Sequence, residues 1–262
     1  MQRYLPGLFG VLVSCTLATA ALAADVKVMI SAGFFAVYEE LGPAFEKATG
    51  HTLITTRGPS VGDSPEAIPT RLSHGEPADV VIMDGGGVDL LDQRNLTRSG
   101  SRVPLAESFI GMVVRSGQPK PDISTVDALR KTLLAAKPIA YSDSSSGTYL
   151  SNIGFKKLGI AEEIAGKTRK VRGPPSGEPV AAVVARGEAE IGFKQVAEMI
   201  HVPGIDFVGT VPSEIQPPTL YAGAIPANSQ QPDAALALLH FLSSADAAAV
   251  ITKDGLKPLP PH

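Results

Sequence analysis

The sequence predicts an α/β protein built as two lobes with a ligand cleft between them. Short apolar runs alternate with amphipathic runs along most of the 262 residues, as strands alternate with helices in a parallel sheet. Four of the predicted strands end in loops rich in hydroxyls or glycines, two in each half of the chain. Ligands of open α/β sheets bind beyond the carboxyl ends of the strands, so a cleft between two lobes would bring these loops together.

The N-terminal half contains three predicted strand–helix units. Apolar positions near helical spacing indicate the first helix, and Gly50 directly after it is typical of a helix C-cap. The strands of these units are predicted over 26–30, 52–56 and 78–83, and the helices over 38–49, 67–74 and 89–94.

The C-terminal half continues the alternation and ends in a long amphipathic helix. Ser124 or Thr125 is suited to start a helix, with Asp127 in its first turn. The last helix is predicted to run without a break. Strands are predicted over 110–115, 137–140, 170–172, 189–194, 205–211 and 220–225, and helices over 125–136, 150–158, 180–186 and 232–252.

Residues 1–23 have the pattern of a secretory signal peptide. Arg3 supplies the positive charge, positions 5–22 are almost wholly apolar or small, and Ala21-Leu22-Ala23 is a cleavage motif. Cleavage there would start the mature chain near Ala24 and place it in the periplasm. A membrane anchor and lipidation at Cys15 are the alternatives. Because Cys15 is the only cysteine, the mature chain would have no disulfide and no thiol chemistry.

The composition argues against several classes of function. A net charge of −3 gives no support to nucleic-acid binding, and the absence of Trp leaves little for stacking sugars or bases. No His-rich metal constellation or G-x-S-x-G nucleophile motif is present. Asp84-Gly85-Gly86-Gly87 lacks the Lys-Ser/Thr of a phosphate loop. The sequence therefore predicts neither a metal nor a cofactor.

The stretch 141–149 is the strongest candidate for an anion site. Its serines, glycine and threonine lie where a strand is followed by a helix, and a helix N-terminus offers unpaired N–H donors and a partial positive charge. Simple N-capping is the alternative. The other three loops, 31–33, 57–60 and 173–176, also lead into helices. The binding residues predicted from these four loops are Ser31, Gly33, Arg57, Ser60, Ser145, Ser146, Gly147, Thr148 and Ser176.

Three motifs in order make the chain resemble a known family. They are Gly75-Glu76-Pro77-Ala78-Asp79-Val80, then Arg186-Gly187-Glu188-Ala189-Glu190-Ile191-Gly192, and the closing helix 233–254 with Phe241-Leu242. The chain resembles the periplasmic type II solute-binding proteins of the molybdate-binding (ModA-like) kind. The resemblance implies a monomer whose two α/β lobes, joined by a double-strand hinge, close over an oxyanion. Lobe I would comprise 24–107 and 219–262, and lobe II would comprise 108–218.

The chain departs from that family at its ligand site. Ser31-Ala32-Gly33-Phe34 replaces the usual Ser-Leu-Thr, and Lys194-Gln195 replaces the tyrosine expected after Phe193. Arg57 also adds a charge where the family uses neutral donors. These cations predict a larger anion such as a di- or tricarboxylate. The alternative is that Arg57 and Lys194 are solvated surface cations.

Within the family, the resemblance is to members that interconvert cis- and trans-aconitate. It implies a cofactor-free isomerase that moves a proton across an allylic system. A non-catalytic binding protein, which delivers a molybdate-like oxyanion or a polycarboxylate to a membrane transporter, is the alternative. A receptor that presents its ligand to a sensor is a third possibility.

The proton shift needs a base, cations for the carboxylates and donors for the developing charge. Lys194 is the first candidate for the base, because a partly buried lysine loses its proton readily. Tyr149 is the second and Glu178 the third, although Tyr149 could simply pack and Glu178 could serve only the helix dipole. Arg172 joins Arg57 and Lys194 as a candidate cation, and Gln195 is a further candidate contact.

Overall fold

The computed structural model describes residues 23–62 and 64–260. Most of the predicted signal peptide, including Cys15, lies outside these residues. The described chain forms two β-sheets, each covered by helices. We call the six-stranded sheet with its helices lobe I, and the five-stranded sheet with its helices lobe II.

The strands agree closely with the predicted ones, with one strand before residue 110 that the sequence pattern did not indicate. They are β1 Asp25–Ile30, β2 Thr52–Arg57, β3 Val80–Asp84, β4 Val103–Ser108, β5 Ile110–Arg115, β6 Ile139–Ser142, β7 Thr168–Val171, β8 Ile191–Gln195, β9 Ile205–Thr210, β10 Thr219–Ala224 and β11 Lys257–Pro258.

Two of the helices begin or end at a local signal that the sequence contains. Gly50 ends the first helix in a left-handed conformation with φ of 76°, and the Thr125 hydroxyl caps another by accepting from the Ala128 N–H at 3.1 Å. The α-helices are α1 Phe35–Thr49, α2 Ile68–Ser73, α3 Gly85–Gln93, α4 Val126–Ala135, α5 Ser145–Tyr149, α6 Phe155–Lys157, α7 Ala161–Ile164, α8 Val180–Ala185, α9 Pro232–Leu242 and α10 Ala248–Lys253.

Both sheets are mixed, whereas strand–helix alternation predicted a parallel sheet. Lobe I has the order β11-β4-β10-β3-β1-β2, in which β1 runs parallel to β2 and β3 while β10 is antiparallel to β3 and β4. Lobe II has the order β7-β6-β8-β5-β9, with β5 antiparallel to β8 and β9. Strands β5 and β10 are the ones that directly follow a crossing between the lobes. The periodicity of strands and helices in the sequence does not indicate that the strand direction reverses there.

The two crossings are tied together by a buried amide. The chain passes from lobe I to lobe II between β4 and β5, and returns between β9 and β10. Gln195 at the end of β8 accepts from the Ser108 hydroxyl at 2.7 Å and donates to the Thr219 hydroxyl at 3.0 Å. This single side chain thus holds the two crossing segments together at the C-terminal end of β8.

The predicted C-terminal helix is broken. After α9 the chain passes through Ser243 and Ser244 into a short 3-10 turn and α10, with a bend of 52°. None of the described helices is by itself both long and apolar enough to cross a membrane, although this bent pair passes that test when joined. Leu238, Leu239 and Leu242 are fully buried in the lobe I core, which accounts for the apolar character of α9.

Asp79 fastens the start of β3 to the C-terminal part of lobe I. Its carboxylate is 4% exposed and accepts from the Lys27 N–H at 2.9 Å on one oxygen. The other oxygen accepts from the Ser229 hydroxyl at 3.0 Å and from the N–H groups of Gln230 and Gln231. The aspartate of the Gly75–Val80 motif is therefore a structural anchor.

The Asp79→Ala variant is expected to lose about 2–4 kcal/mol of unfolding free energy, because it leaves several donors without their charged acceptor. Urea denaturation measures this loss as a lower midpoint at an unchanged slope. Asp25→Ala, at an exposed position of the adjacent strand, is the matched control and should stay within about 0.5 kcal/mol of the parent. Equal midpoints for the two variants would show that the Asp79 contacts contribute nothing.

Candidate functional site

A cavity lined in part by charged and hydroxyl side chains lies between the two lobes at the ends of the strands. Its volume is about 130 Å³, well below the ~300 Å³ at which pockets for drug-sized ligands begin, so it suits a small anion. The structure brings all four predicted loops to this cavity. The residues that line it are Ser31, Ala32, Gly33, Arg57, Gly58, Pro59, Ser60, Asp143, Ser144, Ser145, Ser146, Gly173, Pro174, Pro175, Lys194, Gln195, Glu198 and Tyr221.

The loop after β1 supplies an unused hydroxyl. Ser31 is 4% exposed, and its N–H donates to the Ile82 carbonyl at 2.9 Å, which fixes the turn. The Ser31 hydroxyl finds no hydrogen-bond partner among the residues that the structure describes. A buried polar group of this kind costs free energy unless a ligand satisfies it. Ser31 is thus a donor poised for a bound anion.

Gly33 leaves room for the phenol of Tyr221. A Cβ atom added to Gly33 would lie 1.8 Å from the Tyr221 hydroxyl oxygen, so no larger residue fits there without displacing the ring. Burial, with the nearby carboxylates of Glu198 and Asp84, raises the pKa of Tyr221 well above its usual value. The phenol therefore remains protonated and can donate a hydrogen bond into the cavity.

A hydrogen bond joins the two lobes beside the cavity. The Ser145 hydroxyl at the start of α5 donates to Asp84 Oδ2 at 2.7 Å. Asp84 also accepts from the Gly87 N–H at 2.9 Å, while its own N–H donates to the Ser60 hydroxyl at 3.2 Å. In this conformation the predicted donor Ser145 therefore joins the lobes, whereas Ser60 accepts from the Asp84 N–H within lobe I.

Lys194 projects into the cavity from β8. Its ammonium group donates to the Ser144 hydroxyl and lies 3.3 Å from Glu198 Oε2. The two charged side chains are 14% and 13% exposed, so the pair is largely shielded from water. These contacts suit Lys194 to holding a substrate carboxylate, whereas a base would need the neutral amine.

Arg57 stands at the end of β2 with its guanidinium over an aromatic ring. The guanidinium carbon lies 4.0 Å from the centroid of the Phe35 ring, a cation–π contact that limits its orientations. Arg57 lines the same cavity as Lys194 and comes from the opposite lobe. The site therefore offers one cation from each lobe.

Several predicted site residues do not reach the cavity. Tyr149 donates its hydroxyl to the Ile215 carbonyl at 2.7 Å and packs against the lobe II core, because it lies one turn beyond the start of α5. Arg172 is 57% exposed and lies 3.7 Å from Glu66, while Glu178 pairs with Arg186 at 2.8 Å. Tyr149 and Arg172 are thus corrected to a packing residue and a surface cation.

Of the remaining predicted binding residues, some line the cavity and others do not. Thr148, which lies on α5, and Ser176 are exposed and lie outside the lining. Gly147 is buried beneath the cavity, where a Cβ would lie 1.7 Å from the Ser142 carbonyl oxygen, so it acts through close packing. Ser146 and Gln195 do line the cavity, but the two ends of the Gln195 amide are used by the crossings.

Four polar lining residues, Asp143, Ser144, Glu198 and Tyr221, were not among the predicted site residues. Asp143 accepts from the Gly173 N–H at 3.0 Å and so links two of the loops. Tyr221 belongs to the predicted strand 220–225, for which no site role was predicted. Glu198 follows Lys194 by four positions, and that spacing of opposite charges is the only local signal that pointed to it. Within 23–62 and 64–260, no group of three or more His, Cys, Asp or Glu residues is placed to hold a metal ion.

The Gly33→Ala variant is expected to lose about 1–3 kcal/mol of unfolding free energy, because the new methyl group collides with the Tyr221 phenol. Gly166→Ala is the matched control, since a Cβ there meets nothing within 4 Å. Thermal unfolding of both variants, monitored by circular dichroism, measures the difference. A Gly33→Ala midpoint equal to that of Gly166→Ala would contradict the close approach of Tyr221.

The sequence is similar to one protein family and to individual bacterial proteins. It matches the family described as bacterial extracellular solute-binding protein over residues 26–257. It is 48% identical over 249 residues to an aconitate isomerase from a Pseudomonas species, covering 95% of this chain and 94% of that protein. It is 29% identical to the molybdate-binding protein ModA of Azotobacter vinelandii, covering 91% of this chain and 92% of the relative.

Solved structures agree on the fold. The Azotobacter vinelandii periplasmic molybdate-binding protein superposes with a TM-score of 0.69 at 21% identity, over 90% of this chain and 99% of that one. The substrate-binding domain of a putative molybdenum ABC transporter from Clostridium difficile gives 0.69 at 18% identity, over 91% of this chain and all of its own. With its two-sheet α/β architecture and its interlobe cavity, the chain belongs to the bacterial extracellular solute-binding protein family.

Proposed function

We propose that this protein is an aconitate isomerase, which interconverts cis- and trans-aconitate by an allylic proton shift in the cleft between its lobes. One observation carries the proposal: a chain 48% identical to an aconitate isomerase over nearly its full length has cationic, hydroxyl and carboxylate side chains around one small cavity. The cations match a polyanionic substrate, and the hydroxyls match the charge that develops during the shift.

The cavity has the groups needed to hold a tricarboxylate. Lys194 and Arg57 are placed on opposite lobes, so each can bind a different carboxylate of one substrate molecule. The serines of the 143–146 loop and the N–H groups at the start of α5 surround the same space. Closing the lobes over the substrate would remove water and strengthen all of these contacts.

The reaction requires only a proton transfer. A C–H bond of the substrate methylene group breaks, and its electron pair forms a new double bond to the central carbon. The former double bond shifts its electrons towards the far carboxylate, and a proton then returns at the far carbon. No oxidant, reductant or co-reactant is consumed, and the substrate and product have the same formula.

Neutral donors stabilise the intermediate charge. The unpartnered Ser31 hydroxyl and the protonated Tyr221 phenol face the cavity from lobe I. Donors fixed before the reaction stabilise a developing oxyanion without the cost of reorganising water. These two residues are therefore suited to donate hydrogen bonds to the substrate carboxylate that gains negative charge during the proton shift.

The proposal also includes the boundaries of the two lobes and the location of the protein. Lobe I is assigned to 24–107 and 219–262, and lobe II to 108–218, a division supported by the strands of the two sheets except at Ser108, which ends β4 of lobe I. Residues 1–23 act as a signal peptide that sends the chain to the periplasm, where it works as a monomer. The description of the family as extracellular supports this location.

A binding protein without catalysis is the second candidate function. The relatives named as molybdate-binding proteins favour it, and such a protein would deliver an oxyanion or polycarboxylate to a membrane transporter. The carboxylates of Glu198 and Asp143 in the cavity lining argue against it, because a carboxylate repels a bound anion.

Purified protein mixed with either isomer of aconitate, without added metal or cofactor, tests the proposal. Conversion of both isomers to one equilibrium mixture, followed by proton NMR, is expected for an isomerase. Molybdate and citrate serve as binding controls. If neither isomer is converted while one of these anions raises the melting temperature, the binding-protein function is correct.

Lys194→Met is expected to raise KM about 10- to 100-fold with a smaller change in kcat, because it removes a charge-assisted contact present before and during the reaction. Steady-state kinetics with cis-aconitate measure both parameters. Lys170→Met, at an exposed position on β7 of the same lobe, is the matched control. Loss of kcat at unchanged KM would contradict the binding role and make Lys194 the proton-transferring group.

A further inference from the structure

We propose that the carboxylate of Glu198 is the base that removes the proton from the substrate methylene group and returns it at the far carbon. This inference rests on the proposed isomerase function. It assigns the proton transfer to a residue that sequence patterns did not indicate, and it leaves Lys194 as the cation beside that base.

Glu198 is placed firmly at the cavity. Glu198 is the last residue of the 3-10 turn Val196–Glu198. The Val196 N–H donates at 2.9 Å to the carbonyl of Phe109, which lies between β4 and β5. Ala197 in the middle of the turn is buried in the lobe I core, although the turn continues directly from a lobe II strand. The turn that carries Glu198 is thus anchored from both lobes, which positions a group that must meet a carbon atom accurately.

The charge of Glu198 distinguishes a catalytic site from a simple binding site. An anion-binding cavity gains nothing from a shielded carboxylate in its wall, because like charges repel across a site that excludes water. The Lys194 ammonium, 3.3 Å from Glu198 Oε2, partly neutralises the carboxylate charge, but the same contact weakens the attraction of that ammonium for a bound anion. This loss of anion affinity is explained if the carboxylate takes part in the reaction.

Glu198 suits the base better than the other groups in the cavity wall. The Lys194 ammonium is already engaged by the Glu198 carboxylate and the Ser144 hydroxyl, and burial raises the pKa of Tyr221, which suits its phenol to donating. Asp143 already accepts a backbone N–H from Gly173. An ionised carboxylate needs no prior proton loss and lies within the ordinary repertoire of bases that act on carbon acids.

The ion pair also keeps the charge balanced during the step. When the C–H bond breaks, the proton forms an O–H bond with Glu198, and one negative charge moves from the glutamate to the substrate. The Lys194 ammonium, released from its full pairing with Glu198, then faces the new charge on the substrate. Return of the proton to the far carbon restores the Lys194–Glu198 pair, so the protein ends in its starting state.

The test compares the parent with Glu198→Gln and with Glu162→Gln, whose residue lies exposed on α7 away from the cavity. Kinetics, calorimetric titration with trans-aconitate, thermal unfolding and NMR of the reaction in D₂O are measured for each. Glu198→Gln is expected to lose at least about 100-fold in kcat and to incorporate no deuterium into substrate carbon. It should bind aconitate as tightly as the parent or more tightly, since a like charge has been removed. Glu162→Gln should match the parent throughout.

The outcomes separate the two proposals. Glu198→Gln turnover within tenfold of an active parent overturns the assignment of the base and leaves the isomerase function intact. A loss of binding in proportion to the loss of turnover also overturns it, because Glu198 would then only support the site. A parent that binds aconitate without converting it overturns the isomerase function itself, and the base with it.

A second variant covers the case in which Glu198→Gln does not fold. Glu198→Asp keeps the charge and the contact with Lys194 but shortens the side chain by one methylene group. It is expected to fold, to retain binding and to lose about tenfold or more in kcat, because a base placed about 1 Å too far works poorly. Parental kcat in Glu198→Asp contradicts a direct contact between this carboxylate and the substrate.

Discussion

The buried amide of Gln195 is the contact on which the cavity depends. It joins Ser108 at the end of β4 to Thr219 at the start of β10, and so holds the two crossings between the lobes side by side. Lys194 precedes it in the same strand, and the turn that carries Glu198 follows directly. The residue that organises the hinge thus also fixes the position of the charged pair in the cavity wall. A polar group so deeply buried is tolerable only because each end of the amide is satisfied.

The scaffold of an anion-binding protein needs few changes to support proton transfer. Lobes that close over a ligand already exclude water, and hydroxyls at strand ends already present donors to an anion. In this chain the cavity contains a shielded Lys194–Glu198 pair, a protonated Tyr221 opposite the small residue Gly33, and the Arg57 guanidinium over the Phe35 ring. These groups come from both lobes, which makes the assembled site depend on closure.

Local sequence signals predicted the parts of the fold that local interactions determine. Gly50 and Thr125 mark helix ends because their conformations or hydroxyls act within one turn, and the four loops were located because each follows a predicted strand and leads into a helix. The broken C-terminal helix escaped prediction, since Ser243 and Ser244 interrupt a pattern whose apolar spacing continues beyond them. The reversal of β5 and β10 escaped it too, because strand direction depends on where the chain returns from the other lobe.

The sequence allowed the loops of the site to be predicted, but not which of their side chains line the cavity. Which side chain of a loop faces the ligand depends on the turn geometry, and for that reason Thr148, Ser176 and Arg172 were assigned to a cavity they do not reach. Tyr149 was misplaced because α5 begins at Ser145 and carries the ring into the lobe II core. Tyr221 and Glu198 were missed since they enter the cavity from a core strand and from a turn after β8, far in sequence from most of the residues they join.

The most direct test of this account is a crystal structure of the Glu198→Gln variant with trans-aconitate bound. The account predicts that the ligand lies between the lobes with one carboxylate on the Lys194 ammonium and another near the Arg57 guanidinium. Its methylene carbon should lie about 3–3.5 Å from the carboxamide at position 198, the separation at which a reacting pair is poised. Aconitate bound outside this cavity, or bound within it with the methylene group turned away from position 198, would contradict the account.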